Sequence, residues 1–404
     1  MINPLPVVRA EFRRSGVSGA VAVALIALAV ALGVTVTAQE RALRAASARA
    51  ADPFDIVVGV RGSPTQLVLG TVYLQPGVLE LLPGEVLKRL DEERGIAWAA
   101  PLAFGDSYLR SPVVGTTAAF AVRGGTMRLE RGCVFAAADE AVIGADVPLG
   151  LGARFAPAHG QPAAASRPED AILHGIEYRV VGVLPRLGTP WDRAVLVPIE
   201  TVWRLHSRPT GHALGSDRIG PPWEAGPSGA SALVIKAVSV ADAYRLRGRF
   251  RTSDSTAVFP AEVLVGLYAT LGDARDLLAV VALLTQALVV SAVMLAVVAT
   301  QAQRRRLFGV LRALGAPRAY VAAAVWLQVS AVLAFGGLMG LVAGWAAAAA
   351  VSRAVASRTG LSLAPVVGGP EILLVAALVV VGTVAAVLPA WHAHRQPVAS
   401  LLRS

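Results

Sequence analysis

The 404-residue sequence contains one cysteine, Cys133, which excludes an intrachain disulfide framework and any cysteine-based zinc cluster. Lysine is nearly as scarce, with Lys88 and Lys236 the two present. Neither follows a glycine, so the sequence has no GxxxxGK[ST] phosphate loop with which to hydrolyse a nucleotide. HExxH and GxSxG are also missing, which removes two common hydrolase patterns. Charged residues are 16 % of the chain, where a globular chain carries about 25 %. Apolar residues fill the difference at 55 %, with a mean hydropathy of +0.60. The 37 Lys+Arg against 27 Asp+Glu give a net charge of +10, almost all of the basic side being arginine. This balance describes a membrane protein rather than two or three soluble domains.

Four uncharged stretches meet the requirement of about 20 apolar residues for crossing the hydrocarbon layer. They are Gly16–Ala38, Leu277–Thr300, Ala319–Ser352 and Ile372–Ala390. The first follows Arg9, Arg13 and Arg14 and could be a secretory signal. It is longer than the apolar core of a signal peptide, so an uncleaved anchor is expected. Arg304, Arg305, Arg306, Arg312 and Arg318 separate the second and third stretches, and His392, His394, Arg395 and Arg403 follow the fourth. The loop between the third and fourth has only Arg353 and Arg358. Basic residues gather on the cytoplasmic side, which puts both termini and the 301–318 loop there.

The expected fold is therefore an α-helical membrane protein with four transmembrane helices and a large α+β extracytoplasmic domain inserted between helices 1 and 2. Its parts are a cytoplasmic N-terminus (1–15), helix 1 (16–38), the extracytoplasmic domain with stalk helices (39–276) and helix 2 (277–300). A cytoplasmic loop (301–318), helix 3 (319–352), a short external loop (353–371), helix 4 (372–390) and a cytoplasmic tail (391–404) follow. Within the external domain, Phe54–Val60, Leu67–Leu74, Tyr178–Leu184, Val195–Ile199 and Ala232–Val238 read as strands. Glu85–Arg94 and Ala241–Arg251 read as helices, while Ala156–Pro168 and Ser207–Gly229 look irregular. Gln39–Ala51 and Glu262–Leu278 are expected to extend the first two spans as stalks.

No metal site is expected. The external histidines are His159, His174, His206 and His212, and the close group among them is His206 and His212 with Asp217. That group lies in a Pro/Gly-rich segment where solvated side chains are the simpler reading. Cys133 is expected as a small buried hydrophobe. No span carries an ionisable residue at its middle, which speaks against an ion-coupled relay. Gly336, Gly340 and Gly344, with Gly337 beside them, form a line of small residues at helical spacing. Such a line lets helices approach closely, within the subunit in preference to a dimer contact.

The most informative segment is Arg304-Arg305-Arg306-Leu307-Phe308-Gly309-Val310-Leu311-Arg312-Ala313-Leu314-Gly315-Ala316. Phe308, Leu311 and Leu314 or Ala316 recur at helical spacing, and Gly315 with Pro317 supplies a stop signal. An amphipathic helix of this kind fits a groove in a partner or lies on a membrane. The run resembles the coupling loop of MacB/FtsX-type ABC-transporter permeases. Phe308, Gly309, Leu311, Arg312, Ala313, Leu314, Gly315 and Ala316 match in register, while Leu307 stands where that family usually has an acid. Pro389, Ala390, Pro397, Leu402 and Arg403 are similar to the family's C-terminal signature.

The resemblance implies a non-enzymatic, multi-pass permease of the bacterial inner (cytoplasmic) membrane with a periplasmic domain. Its implied partners are two copies of a separate ABC ATPase, which binds the ATP and Mg, a second copy of itself as homodimer, a periplasmic or lipoprotein partner, and membrane lipid. No nucleic acid is expected, and no cofactor in this chain. Arg306, Phe308, Gly309, Leu311, Arg312, Ala313, Leu314 and Gly315 would couple the ATPase to the spans. The implied function is mechanotransmission, with ATP hydrolysis moving the periplasmic domain to export or extract a cargo. The alternatives are an FtsX-like regulator that activates a periplasmic enzyme, and a membrane-anchored binding module.

Overall fold

The computed structural model describes every residue except 1–15, 78, 161–174, 214, 225, 304–314, 389 and 392–404. In chain order the elements are α1 (Gly16–Ala51), β1 (Ile56–Val60), α2 (Pro64–Val72), α3 (Gly84–Lys88), β2 (Ile96–Tyr108), β3 (Ser111–Thr116) and α4 (Ala118–Ala121). Then come β4 (Arg131–Gly132), β5 (Glu140–Ile143), β6 (Arg154–Phe155), β7 (Ala158–His159), β8 (Tyr178–Val183), β9 (Val195–Pro198) and α5 (Ile199–Leu205). The chain continues with β10 (Ala232–Ala237), α6 (Val240–Arg249), β11 (Ser255–Val258), α7 (Pro260–Gln303), α8 (Arg318–Thr359) and α9 (Gly369–Ala385). Two compact units result. One joins residues 1–43, 271–354 and 364–404, the other 44–270 and 355–363, so the boundary falls inside α1, α7 and α8.

The second unit is an α+β domain built on a mixed sheet ordered β11-β1-β10-β2-β3-β9-β5-β8-β4, with β6 paired to β8 and β7 to β2. β3–β9 and β5–β8 are parallel, and the other pairings are antiparallel. Strand β2 has long partners on both edges, β10 and β3, and its register shifts between Ala103 and Asp106. One contiguous apolar core runs through this unit, including Ile56, Val58, Val113, Val195, Val197, Leu233, Ile235 and Leu246. A second aromatic group stacks Phe54, Trp98, Phe120 and Trp191 with centroids 4.6–6.3 Å apart.

Two sequence expectations are corrected here. Leu67–Leu74 is mostly helix, not strand: α2 starts on Pro64, and the Ser63 hydroxyl caps it by accepting from the Gln66 N–H at 3.3 Å. Proline at the first helical position and serine before it form a strong start signal. Leu67, Val68, Thr71 and Val72 then face inward at helical spacing. Cys133 is exposed, following the short edge strand β4, and is not a core residue. The expected strands at 56–60, 178–183, 195–198 and 232–237 are present, as are the helices at 84–88 and 240–249. Strand β2 is absent from the sequence reading because Ala-rich Ile96–Tyr108 has Pro101 and Gly105 inside it and little β-branched content.

The first unit is helical. Among the described residues α1 and α8 are long and apolar enough to cross a membrane, and the remaining two apolar stretches fall in α7 and α9. Ile26, Val30, Val34, Val329, Val332, Leu333, Leu378 and Ala386 form its core, drawn from α1, α8 and α9, with Val289, Val290 and Met294 of α7 against it. Facing outward are Leu28, Leu32, Leu283, Leu284, Leu288, Phe335, Leu338, Leu373, Val380, Val381 and Val384. A helix bundle that exposes this many large apolar side chains is stable in hydrocarbon, not in water.

Candidate coupling and helix-packing site

Of the coupling residues, Arg306, Phe308, Gly309, Leu311, Arg312, Ala313 and Leu314 lie outside the described residues, as do Pro389, Pro397, Leu402 and Arg403. What is described is the exit from that loop. Gly315 has φ +97, a left-handed conformation that L side chains rarely adopt, and Pro317 accepts from the Tyr320 N–H at 3.0 Å as α8 begins. Ala390 is buried and donates to Ala386.

The glycine line is described in full and packs within this subunit, on α1. A Cβ added at Gly336 would lie 2.8 Å from the Ile26 Cβ, one at Gly340 2.6 Å from the Val30 Cβ, and one at Gly344 2.7 Å from the Val34 Cβ. Both sets step by four and rise together, so α1 and α8 run in the same direction. On the flank of α8, Gly337 meets Val375 and Val379, while Leu333 fills the space over Gly382, so α9 runs antiparallel to α8. Polar bonds tie the seam: the Thr35 hydroxyl donates to Ala31 and Gly344 carbonyls at 2.7 and 3.1 Å. The Ser352 hydroxyl donates to Gln39 Oε1 at 3.0 Å, and the Trp326 indole donates to the Thr383 carbonyl at 3.0 Å. At the start of α9, Glu371 is fully buried, accepts from the Gly368 N–H at 2.9 Å and pairs with Arg41 at 2.9 Å. Sequence reading missed this ion pair because 330 positions separate its partners (371 − 41).

In the α+β unit a cleft of about 1130 Å³ opens between the end of α1, the start of α7, β10 and α6. Arg44 stands over the Tyr268 ring at 4.8 Å, and Lys236 bridges to Asp55 at 2.8 Å. Val238, Val240, Tyr244 and Val265 lie exposed nearby. Deeper in, Arg123 is buried among three rings, 4.3 Å from Phe120, 4.7 Å from Phe54 and 5.5 Å from Trp98; burial pulls its pKa down from the ordinary arginine range.

His206, His212 and Asp217, close in sequence, are sent to separate partners. Asp217 is exposed and meets Arg204 at 3.4 Å. His212 is buried, with Nδ1 3.3 Å from Glu224 and Nε2 3.8 Å from Glu200. Glu200 in turn accepts from the Trp223 indole at 2.7 Å and the Gly220 N–H at 2.9 Å. His206 turns the other way, toward Asp106 and His159. The Pro/Gly-rich segment is irregular as expected and exposed along much of its length, with His212 and Trp223 buried, the Trp223 ring 5.9 Å from that of Trp203.

Comparison with known proteins bears on the helical half. Residues 279–398 match the FtsX-like permease C-terminal domain. No curated protein sequence matches the chain. Among solved structures, the periplasmic region of MacB from Actinobacillus actinomycetemcomitans is similar at 11 % identity and a TM-score of 0.32, covering 54 % of this chain and 94 % of that one. The matched span takes in most of α7, the loop bearing Arg306–Gly315, all of α8 and α9, and most of the tail signature. Over residues 279–398 the chain is similar to the C-terminal domain of the FtsX-like permeases.

Proposed function

We propose that this chain is the permease subunit of an ABC transporter of the MacB/FtsX type. A separate ATPase hydrolyses ATP with Mg, and the chain converts that work into movement of its large α+β domain to export or extract a cargo. The observation that carries this reading is the family match over 279–398, which encloses the loop that resembles the ATPase-coupling helix. In this reading four spans cross the bacterial inner membrane, both termini and residues 304–317 face the cytoplasm, and the α+β domain lies in the periplasm. Parallel α1 and α8 with antiparallel α9 support that topology, since the first and third spans then cross in one direction and the fourth returns.

Two ATPases would grip the coupling helices of a homodimer, and their closure would bias the bundle between two packings. That bias needs the ATPase to bind one packing more tightly than the other. The small-residue seam between α1 and α8 brings the two helices close together. A periplasmic or lipoprotein partner would receive the motion at the α+β domain.

The test is co-purification from mild detergent. A stoichiometric ATPase is expected with the wild type and is expected to be lost in Leu311→Asp and Leu314→Asp, which place a charge in an apolar groove. ATPase association unchanged in both variants overturns the coupling assignment. Absence of any ATPase with an intact dimer moves the reading to an anchored binding module.

A further inference from the structure

We infer that the α+β domain holds a divalent transition-metal site, with Asp106, His159 and His206 as ligands and Zn²⁺ as the ion that suits it. This inference does not rest on the transporter reading.

Three separate elements bring these side chains together. Asp106 lies on β2, directly across from His159 in the β2–β7 pairing. Residues opposite one another in an antiparallel pair place their Cβ atoms about 4.5–5.5 Å apart on the same face. The pairing is locked beside the site, where the Gly160 N–H donates to the Gly105 carbonyl at 2.8 Å. His206 arrives from the C-terminal end of α5, its N–H bound to the Val202 carbonyl at 3.2 Å. Gly105 sits under the His206 ring: a Cβ there would lie 3.9 Å from Nε2.

The geometry fits a shared ion. His159 Nδ1 and His206 Nε2 each lie 3.6 Å from the same oxygen, Asp106 Oδ1. That distance exceeds a hydrogen bond of about 2.7–3.2 Å. It is close to the spacing of about 3.3 Å between two ligands of one tetrahedral zinc with bonds near 2.0–2.1 Å. The three donor atoms lie within 4.8 Å of one another, so small rotations of the two imidazoles close the set.

The electrostatics agree. The Asp106 side chain is 1 % exposed, and a carboxylate held so far from water favours a cation beside it.

Two imidazoles and one carboxylate are borderline ligands that suit Zn²⁺ over Mg²⁺ or Ca²⁺, which prefer oxygen alone. His159 is 57 % exposed and the Asp106 side is closed, so a fourth coordination position faces solvent. The bound ion is thereby open to water or to one donor group from another molecule.

The test uses full-length protein in detergent, carrying a tag without histidine. After chelator treatment and dialysis, Zn²⁺ is titrated against a competing chromophoric chelator, and Co²⁺ is added separately to read its visible spectrum. One Zn²⁺ per chain and the intense visible bands of four-coordinate cobalt are expected. Loss of a group that merely orients a ligand weakens metal affinity about 10–100-fold, so His159→Gln or His206→Gln, each removing a ligand, is expected to weaken it by more than about 100-fold. His159→Gln changes an exposed side chain on a two-residue strand and keeps the test valid if His206→Gln fails to fold. His212→Gln is expected to leave zinc affinity unchanged. Affinity in His159→Gln equal to wild type, or loss in His212→Gln in its place, overturns the assignment.

Discussion

Replacing Gly340 with alanine is the sharpest probe of the helix seam. The added methyl would stand 2.6 Å from the Val30 Cβ and 2.7 Å from the Ala27 carbonyl oxygen. Carbon atoms rest about 3.5–4.0 Å apart, so α1 and α8 must separate by about 1 Å at this level. Backbone cannot rotate out of the way as a long side chain can, and the neighbouring close approaches at Gly336 and Gly344 open with it. A gap of about 0.5–1 Å forfeits a quarter to a half of the dispersion energy between the atoms it parts, and overpacking of this kind costs about 1–3 kcal/mol. Gly266 is the internal control, since it lies in α7 with nothing within 4 Å of an added Cβ. There, alanine removes backbone freedom from the unfolded chain at no steric cost and is expected to stabilise by about 0.5–1 kcal/mol. The two identical substitutions should therefore move thermal stability in detergent in opposite directions. Emission from Trp326 and Trp345, both on α8, gives a local readout. Val30→Gly in the Gly340→Ala background should restore part of the loss, because the methyl is then carried by one helix instead of both. Gly340→Ala behaving like Gly266→Ala would refute the seam.

Four further expectations follow from the same reasoning. Ser63→Ala removes the cap of α2 and should cost about 1 kcal/mol in chemical unfolding, with Ser63→Asp retaining most of the stability. Arg123→Met should leave the thermal midpoint unchanged or raise it. An apolar chain of similar length keeps the contacts with Phe54, Trp98 and Phe120 without burying a charge that lacks a carboxylate partner among the described residues; a fall as large as that of Arg123→Ala would show that the charge itself is required. Glu93, bonded to Arg249 and Arg245, and Glu140, bonded to Arg179 and the Ala136 and Ala137 N–H groups, both titrate below the ordinary glutamate range. Their stabilisation is complete above the unfolded-state value of about 4.3 and is lost as pH falls through the lowered folded values, so Glu93→Gln should flatten the acid limb of the stability profile. Glu371→Gln should loosen the start of α9 by weakening its pairing with Arg41, read as faster proteolysis of the 360–368 segment.

How much of this was legible beforehand depended on the range of the interaction. The apolar runs around Val30, Val290, Leu333 and Leu378 announce themselves because a helix in hydrocarbon must satisfy its backbone internally and present apolar side chains on every side. The small-residue line at Gly336, Gly340 and Gly344 is equally local, being a spacing of four on one helix. Val195–Pro198 and Ala232–Ala237 declare themselves through β-branched content, and the family pattern in Phe308–Gly315 is a contiguous string. The start signal for α2 was present in Ser63-Pro64 but was outweighed by the apolar run that follows it.

Other features had no local signature. That Ile26, Val30 and Val34 are the residues that meet the glycines follows from how α1 and α8 pack, and any apolar stripe on any span would have served as well on sequence grounds. The Glu371–Arg41 pair joins two distant helices. His206 and His212, six positions apart (212 − 206), are sent to different partners because α5 ends between them and the chain turns around Trp203 and Trp223. Asp106 and His159 meet through the β2–β7 pairing, a contact across 53 positions (159 − 106) that no spacing rule detects. By itself the sequence showed the apolar runs and the string that resembles a permease family, because these depend on local composition and period. Which glycine meets which valine, and which histidine meets which carboxylate, was decided by the tertiary structure, because only strand pairing and helix packing bring distant positions within bonding distance.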